Sequence, residues 1–239
     1  MTEEQWLTGK VPRKLLDHAE VYLKAARTKA GRRKLRLYAC ACCRRIWHLM
    51  TDQRNRKGVE VTELLLEGLA SQQQLHAAMS TVGQAAAEVF NAAASAAARV
   101  AQHPMRAAMA AIHVYGAVLD AARTEMTAPV NAALHCVECV EDHERASERT
   151  AQGGLLFDIF GNPFRPLPPL PHAVLAWNDG TVRRIAEGIY EERAFDRLPI
   201  LADALLDAGC DNDDLIQHCR SEGPHVRGCW ALDVILGKS

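Results

Sequence analysis

A chain of 239 residues is long enough to bury a core of its own, and an apolar share of 49% sets it apart from disordered and membrane classes. Aromatics contribute only 5% and alanine much of the apolar share, which favours closely packed helices over an aromatic-rich sandwich. A formal net charge of −1 supplies no global field toward nucleic acid or anionic lipid, so any such affinity has to come from a local cluster.

The opening Met1-Thr2-Glu3-Glu4 is acidic where the leading region of a signal peptide would be basic, and this predicts a cytoplasmic location. The longest weakly polar stretch, Gln84 to Val130, is interrupted by Glu88, Arg99, Gln102, Arg106, Asp120 and Arg123. No window reaches the roughly 18 apolar residues that a membrane span needs, so no membrane association is expected. Eight cysteines, two of them adjacent, suit reduced thiols better than a secreted disulfide framework.

In chain order, Thr2 followed by Gln5 makes a capping box for a short leading helix. Pro12 suits a first helical turn, with Leu15, Leu16, Ala19, Leu23 and Ala26 on one face. The basic stretch Arg32-Arg33-Lys34 leads into a helix over 35–50, whose core face is Leu35, Tyr38, Ala39, Cys42, Ile46, Leu49 and Met50. A further helix covers 52–70 with Val61, Leu64, Leu65 and Leu69 inward. Ser71 and Gln74 form a second capping box, opening an alanine-rich segment to about Ala101. Pro104 and Pro129 each mark the start of another helix, so residues 72–150 read as three helices running up and down.

Gly153-Gly154, Gly161-Asn162-Pro163 and the proline run to Pro171 then break the helical pattern into an extended connector. Short helices follow: one starting at Asp179-Gly180-Thr181, one capped by Asp196 with Pro199 near its start, one capped by Asp211, and a last one over 226–236. No stretch alternates with period two, so no sheet is expected. Of the tryptophans, Trp47 and Trp230 lie in apolar helical patterns and are expected to be buried, with Trp177 in the connector more exposed.

Four strings are familiar together: KLRLYACACCRRIW at 34–47, DIFGNPFRP at 158–166, IYEERAFDRLPILADALLDAGC at 189–210 and HCRSEGPHVRGCW at 218–230. They resemble an uncharacterised family of cytoplasmic proteins expanded in planctomycete bacteria. The alanine-rich middle resembles that family in composition alone. The resemblance implies no activity, substrate or catalytic residue.

Three constellations could carry chemistry. Cys210-x8-Cys219-x5-His225-x3-Cys229 offers four ligands of the type and spacing that suit tetrahedral zinc, with Gly223-Pro224 and Gly228 allowing a tight wrap and His218 as an alternative ligand. The competing reading is that Cys210, Cys219 and Cys229 are small buried residues and His225 bonds locally. Cys40 and Cys43 lie about 60° apart on a helix face, beside Arg36 and Trp47, where nearby arginines could activate a thiol. Plain packing competes there too, and Cys42 reads as structural. His135, Cys136, Cys139 and His143 share a helical stripe too long for all four to meet one ion. Glu191, Glu192, Arg193, Asp196 and Arg197 read as a salt-bridged helix boundary. No nucleophile elbow, phosphate loop, dinucleotide fingerprint or Glu-x-x-His di-iron motif is present, so no catalytic residue is assigned. The basic residues Arg32 to Arg36, Arg44, Arg45, Arg54, Arg56 and Lys57 could meet phosphate, but a solvated helix face is the preferred reading.

These readings combine into an all-α, multi-helix bundle over 1–157, an extended connector over 158–178, and a small C-terminal helical subdomain over 179–239. The leading function is a non-enzymatic interaction or scaffold protein with a structural zinc site and another protein as partner. Two alternatives stay open: a metal- or thiol-dependent enzyme built on the Cys/His clusters, and a nucleic-acid-binding module using the basic N-terminal helix.

Overall fold

The computed structural model describes residues 1–9, 11–22, 25–97, 113–114, 116–118, 120–122, 128–165 and 169–238. Among these residues every regular element is helical and no strand forms, so the protein is all-α. None of the described helices is long and apolar enough to cross a membrane. The expected Leu23, Pro104 and Ala101 features, and the Ala26 side chain, lie outside the described residues. The chain divides into two compact units, Lys10–Gly153 and a second made of Met1–Gly9 with Gly154–Ser239.

In the first unit the helices are α2 (Pro12–Tyr22), α3 (Lys29–Arg45), α4 (Gln53–Leu66), α5 (Gln72–Ala97) and α6 (Ala128–Cys139), with residues 113–114, 116–118 and 120–122 also helical and α1 belonging to the other unit. Pro12 opens α2, and the Ser71–Gln74 capping box precedes α5 with both reciprocal hydrogen bonds in place. The arginines expected to lead into α3 lie inside it, because Thr28 caps the helix by accepting from Gly31 N–H. Helix α3 is the centre of this unit and packs against α4, α6 and the short 3₁₀ turn Ala25–Arg27. A helix surrounded in this way is buried nearly all round, so Leu37, Cys40 and Cys43 are buried along with the expected Leu35, Tyr38, Ala39 and Cys42.

Two expected core leucines are corrected. Leu49 is 37% exposed, because α3 ends at Arg45 and the 3₁₀ turn Trp47–Leu49 no longer follows the 3.6-residue period. Leu69 is 70% exposed, because α4 stops at Leu66 and the left-handed Gly68 turns the chain away. At the rim of this unit, guanidinium–carboxylate pairs join Arg33 to Glu67 (2.8 Å), Arg44 to Glu63 (2.7 Å) and Arg45 to Glu148 (2.9 Å). Arg54 is held between Asp52 and Glu88. Much of the basic N-terminal stretch is therefore neutralised within the fold.

The second unit holds α1 (Glu3–Leu7), the end of α7 (Arg145–Phe160), α8 (His172–Glu192), α9 (Leu198–Asp207), α10 (Asp213–Arg220) and α11 (Trp230–Leu236). The Thr2–Gln5 capping box starts α1 as its residues dictate. Its Trp6 is fully buried, donates from Nε1 to the Gly161 carbonyl at 3.0 Å and meets Phe157 edge-on. Glu3 accepts from Asn162 and pairs with Arg165, both at 2.7 Å, so the DIFGNPFRP string anchors the leading helix. Trp6, rather than Trp47 or Trp230, is the enclosed indole; Trp47, Trp177 and Trp230 are all partly buried.

The break expected at Gly153-Gly154 does not occur, and α7 runs through both glycines to Phe160. A helical glycine costs about 1 kcal/mol, which burial of Leu155, Leu156 and Ile159 outweighs. A Cβ at position 154 would lie 3.3 Å from the Pro224 ring, so glycine also permits a close approach. The connector therefore starts at Gly161, whose left-handed φ of 67° ends α7, and where a Cβ would meet the Trp230 ring at 3.0 Å. The unit border accordingly falls between Gly153 and Gly154 rather than after residue 157.

Helix α8 carries a kink at Trp177–Gly180, with Asn178, Asp179 and Gly180 left-handed, so a helical turn at His172 precedes the expected start at Thr181. Asp196 is not a cap; it sits in the 3₁₀ turn Phe195–Arg197, and α9 begins at Leu198 with Pro199 in its first turn. The cap of α10 is Asn212, one residue past the expected Asp211, accepting from Leu215 N–H at 2.9 Å. Helix α11 starts at Trp230 instead of residue 226, because Gly228 takes φ 91° and Val226 N–H is drawn to a buried carboxylate. Arg197 pairs with Glu192 across the α8–α9 boundary, as expected of that charged patch. Leu198, Leu201, Leu205, Leu215, Ile216, Leu232 and Ile235 form the core of the unit with Val182, Ala186 and Ile189 of α8.

Candidate metal centre

The buried carboxylate just mentioned is Asp158, in the last turn of α7, and three later segments of the same unit converge on it. Its Oδ1 accepts from His225 Nδ1 at 2.8 Å and from His218 Nε2 at 3.1 Å, while Oδ2 accepts from Val226 N–H at 2.9 Å. Cys229, at the N-cap of α11, places its Sγ 3.2 Å from His218 Nε2. One ligand atom from each of Asp158, His218, His225 and Cys229 lies within 4.8 Å of the other three. The Asp158 side chain is 3% exposed, His225 7% and His218 16%, and Cys229 is fully buried. Among the described residues this is the single group of three or more such ligands that comes together, and it could hold a metal ion.

The protons in the site can be placed from its neighbours. The Trp230 indole N–H can only donate, and it points at His218 Nδ1 from 3.1 Å. His218 therefore carries its proton on Nε2 and donates a hydrogen bond from it to Asp158 Oδ1. The two nitrogens of His225 both face acceptors, Asp158 Oδ1 and the Ser221 carbonyl at 3.1 Å, so that ring holds two protons.

The electrostatics agree. Burial pushes Asp158 up, but the hydrogen bonds from His218 and His225 and the charge on His225 outweigh it and hold the carboxyl below its ordinary range. Burial pushes His225 down, and the Asp158 hydrogen bond and charge, with the Ser221 carbonyl, bring it above its ordinary value. For the Cys229 thiol, burial and then the Asp158 charge push it well up. Without an ion, imidazole protons thus neutralise the carboxylate. Two imidazoles, a thiol and a carboxylate are also the donor types that bind a tetrahedral zinc-class ion, which would take the place of those protons.

The structure unites two of the residues expected from spacing, His225 and Cys229, and adds His218, the alternative ligand. Cys210 and Cys219 are corrected out of the set. Cys219 follows His218 by one position, about 100° around α10, and is fully buried in the apolar core. Burial and the Asp158 charge push its thiol up to about 12. Cys210 ends the turn after α9 and belongs to the same core, its N–H bonded to the Leu205 carbonyl. Asp158 was missed because a lone carboxylate, 60 residues from His218, carries no spacing signal.

The other clusters behave differently. Cys40, Cys42 and Cys43 are all fully enclosed, so Cys40 and Cys43 do not form a separate accessible face. Burial pushes Cys40 and Cys42 well up, and the nearby arginines only partly oppose this. Cys136 is raised by burial and then by its contact with Cys43, and burial takes Cys139 to about 12. His143 is exposed in the turn after α6, away from that stripe. No disulfide forms among the described residues.

Comparison with protein-family models, with characterised proteins and with solved structures gave no match.

Proposed function

We propose that this protein is a non-enzymatic helical scaffold whose C-terminal unit is stapled by a structural zinc ion bound through Asp158, His218, His225 and Cys229. The observation that carries this reading is the burial of four zinc-type donors within 4.8 Å of one another. All four come from the chain, as in closed structural sites, whereas catalytic zinc keeps a position for water. The unit also joins short helices, with α10 of 8 residues and α11 of 7, and small helical units gain most from a metal staple. Reduced thiols and a zinc of this kind fit the cytoplasm. The internal pairing of Arg33, Arg44, Arg45 and Arg54 favours a protein partner over nucleic acid.

Zinc binding requires His218 to coordinate through Nε2 and so to carry its proton on Nδ1, facing the Trp230 donor. The indole must then turn aside, which makes Trp230 emission a reporter of loading. Elemental analysis of untagged protein should give one zinc per chain. Cobalt substitution should give the thiolate-to-metal band and the intense visible bands of a tetrahedral site, with the thiolate band lost in Cys229→Ser. Metal-free protein of undiminished stability that takes up no cobalt would overturn the proposal, leaving the hydrogen-bonded network as the whole staple.

A further inference from the structure

The first unit holds a second arrangement of imidazoles. His113 and His135 face each other through Nδ1 at 3.2 Å, with ring centroids 5.5 Å apart. His113 belongs to the helical residues 113–114, 116–118 and 120–122, and His135 to α6. Residues 113, 116 and 120 are spaced by three and four, so they share one face of that helix. The face presents a histidine, a glycine and a buried aspartate to the His135 ring. A Cβ on Gly116 would lie 2.7 Å from His135 Nε2, so the glycine is what leaves room for the imidazole. The Asp120 carboxylate lies 3.7 Å from Nε2, on the side of the ring away from His113.

We propose that His113 and His135 chelate a divalent cation of the nickel–copper class through their two Nδ1 atoms, with Asp120 as the positioning residue behind His135. Metal–imidazole bonds of about 2.0–2.1 Å put neighbouring donor nitrogens about 2.8–3.4 Å apart for angles between 90° and tetrahedral. The observed 3.2 Å falls in that interval. At 3.7 Å the Asp120 carboxylate is too far for a hydrogen bond, but its charge behind the ring favours the proton on Nε2 and so leaves the Nδ1 lone pair directed at the ion. This is the reverse of His218, whose rear nitrogen faces a donor. Both rings are partly exposed, so water can complete a tetragonal N,O coordination, the geometry that copper(II) and nickel(II) adopt.

The test uses Ni²⁺, which unlike Cu²⁺ does not oxidise thiols, on the full untagged chain, comparing wild type with variants by titration calorimetry and by paramagnetic broadening of amide resonances. The wild type should bind one equivalent more than His113→Ala or His135→Ala. Broadening should centre on residues 113 and 135. Asp120→Asn should weaken that equivalent about 10–100-fold, and Gly116→Ala should weaken it although no donor is removed. His76→Ala, an exposed histidine, serves as a control and should change nothing. Because the readout is a difference between wild type and these variants, it stands whether or not the Asp158 centre takes metal. Circular dichroism checks that each variant is folded, and His113→Ala keeps the test decisive if His135→Ala is not. Equal nickel uptake by wild type and His113→Ala, or broadening centred elsewhere, would overturn the proposal.

Discussion

Replacing Asp158 by asparagine tests the centre of the C-terminal unit with almost no change in shape. The carboxylate accepts three hydrogen bonds, two from imidazoles and one from Val226 N–H. An amide offers one oxygen and one NH₂, so either orientation sets a donor against a donor. With the NH₂ toward Val226 the backbone N–H loses its acceptor; with it toward Oδ1's place both histidines do. The substitution also leaves the two-proton form of His225 without its counter-charge at a 3% exposed position. Removing one partner of a buried ion pair costs about 3–5 kcal/mol, and the orphaned N–H alone about 1–3 kcal/mol. These overlap, so the expected loss is about 3–5 kcal/mol for Asp158→Asn. For a domain of this size each kcal/mol moves Tm by about 4–8 °C, so a fall of roughly 12–40 °C should be visible. Trp6, Trp177 and Trp230 all belong to this unit, so tryptophan emission during urea or thermal unfolding reports on it. Asp203→Asn, which breaks the exposed pair with Arg220, is the control and should cost below about 1 kcal/mol. An Asp158→Asn protein within about 0.5 kcal/mol of wild type would refute the argument that this carboxylate organises the unit.

Three further outcomes follow from the first unit. Gly58→Ala should destabilise by about 1–2 kcal/mol despite the better helix propensity of alanine, because the new Cβ would sit 2.8 Å from Val82 and Val118 and 2.9 Å from Met79; a stabilised variant in chemical denaturation would show that α4 can shift. Cys42→Ala should cost about 1–2 kcal/mol through a small cavity at a fully enclosed site, and mass spectrometry should find Cys42 unlabelled by iodoacetamide in native protein. Stability should fall at alkaline pH, since Cys40, Cys42, Cys136 and Cys139 are all raised in the folded state, Cys139 to about 12. A raised thiol contributes stability that is complete below its unfolded value near 9 and is lost as pH rises through the folded value, so the decline should begin above about pH 9 with a slope approaching 1.4 kcal/mol per unit per thiol; a flat profile from pH 8 to 11 would count against it.

Local chemistry made most of the helices legible in the sequence. Thr2–Gln5 and Ser71–Gln74 are reciprocal caps, Pro12 and Pro199 start helices, and the absence of period-two alternation excludes strands. These signals act over three or four residues, so they survive without knowledge of the fold. Errors came where two neighbours compete for one role, as Asp211 and Asn212 do, or where burial overrides propensity, as at Gly153-Gly154. The cysteines show the limit most clearly. Spacing grouped Cys210 and Cys219 with His225 and Cys229, but a one-residue step on α10 sends His218 toward Asp158 and Cys219 into the core. Ligand type is a property of residues, and the sequence alone determined that this C-terminal stretch carries imidazole and thiol donors. Which of them face one another depends on how α7, α10 and α11 pack, and a carboxylate 60 residues away enters only through that packing. Tertiary structure therefore decided the membership of the centre, because convergence is set by the direction of side chains on packed helices and not by their order along the chain.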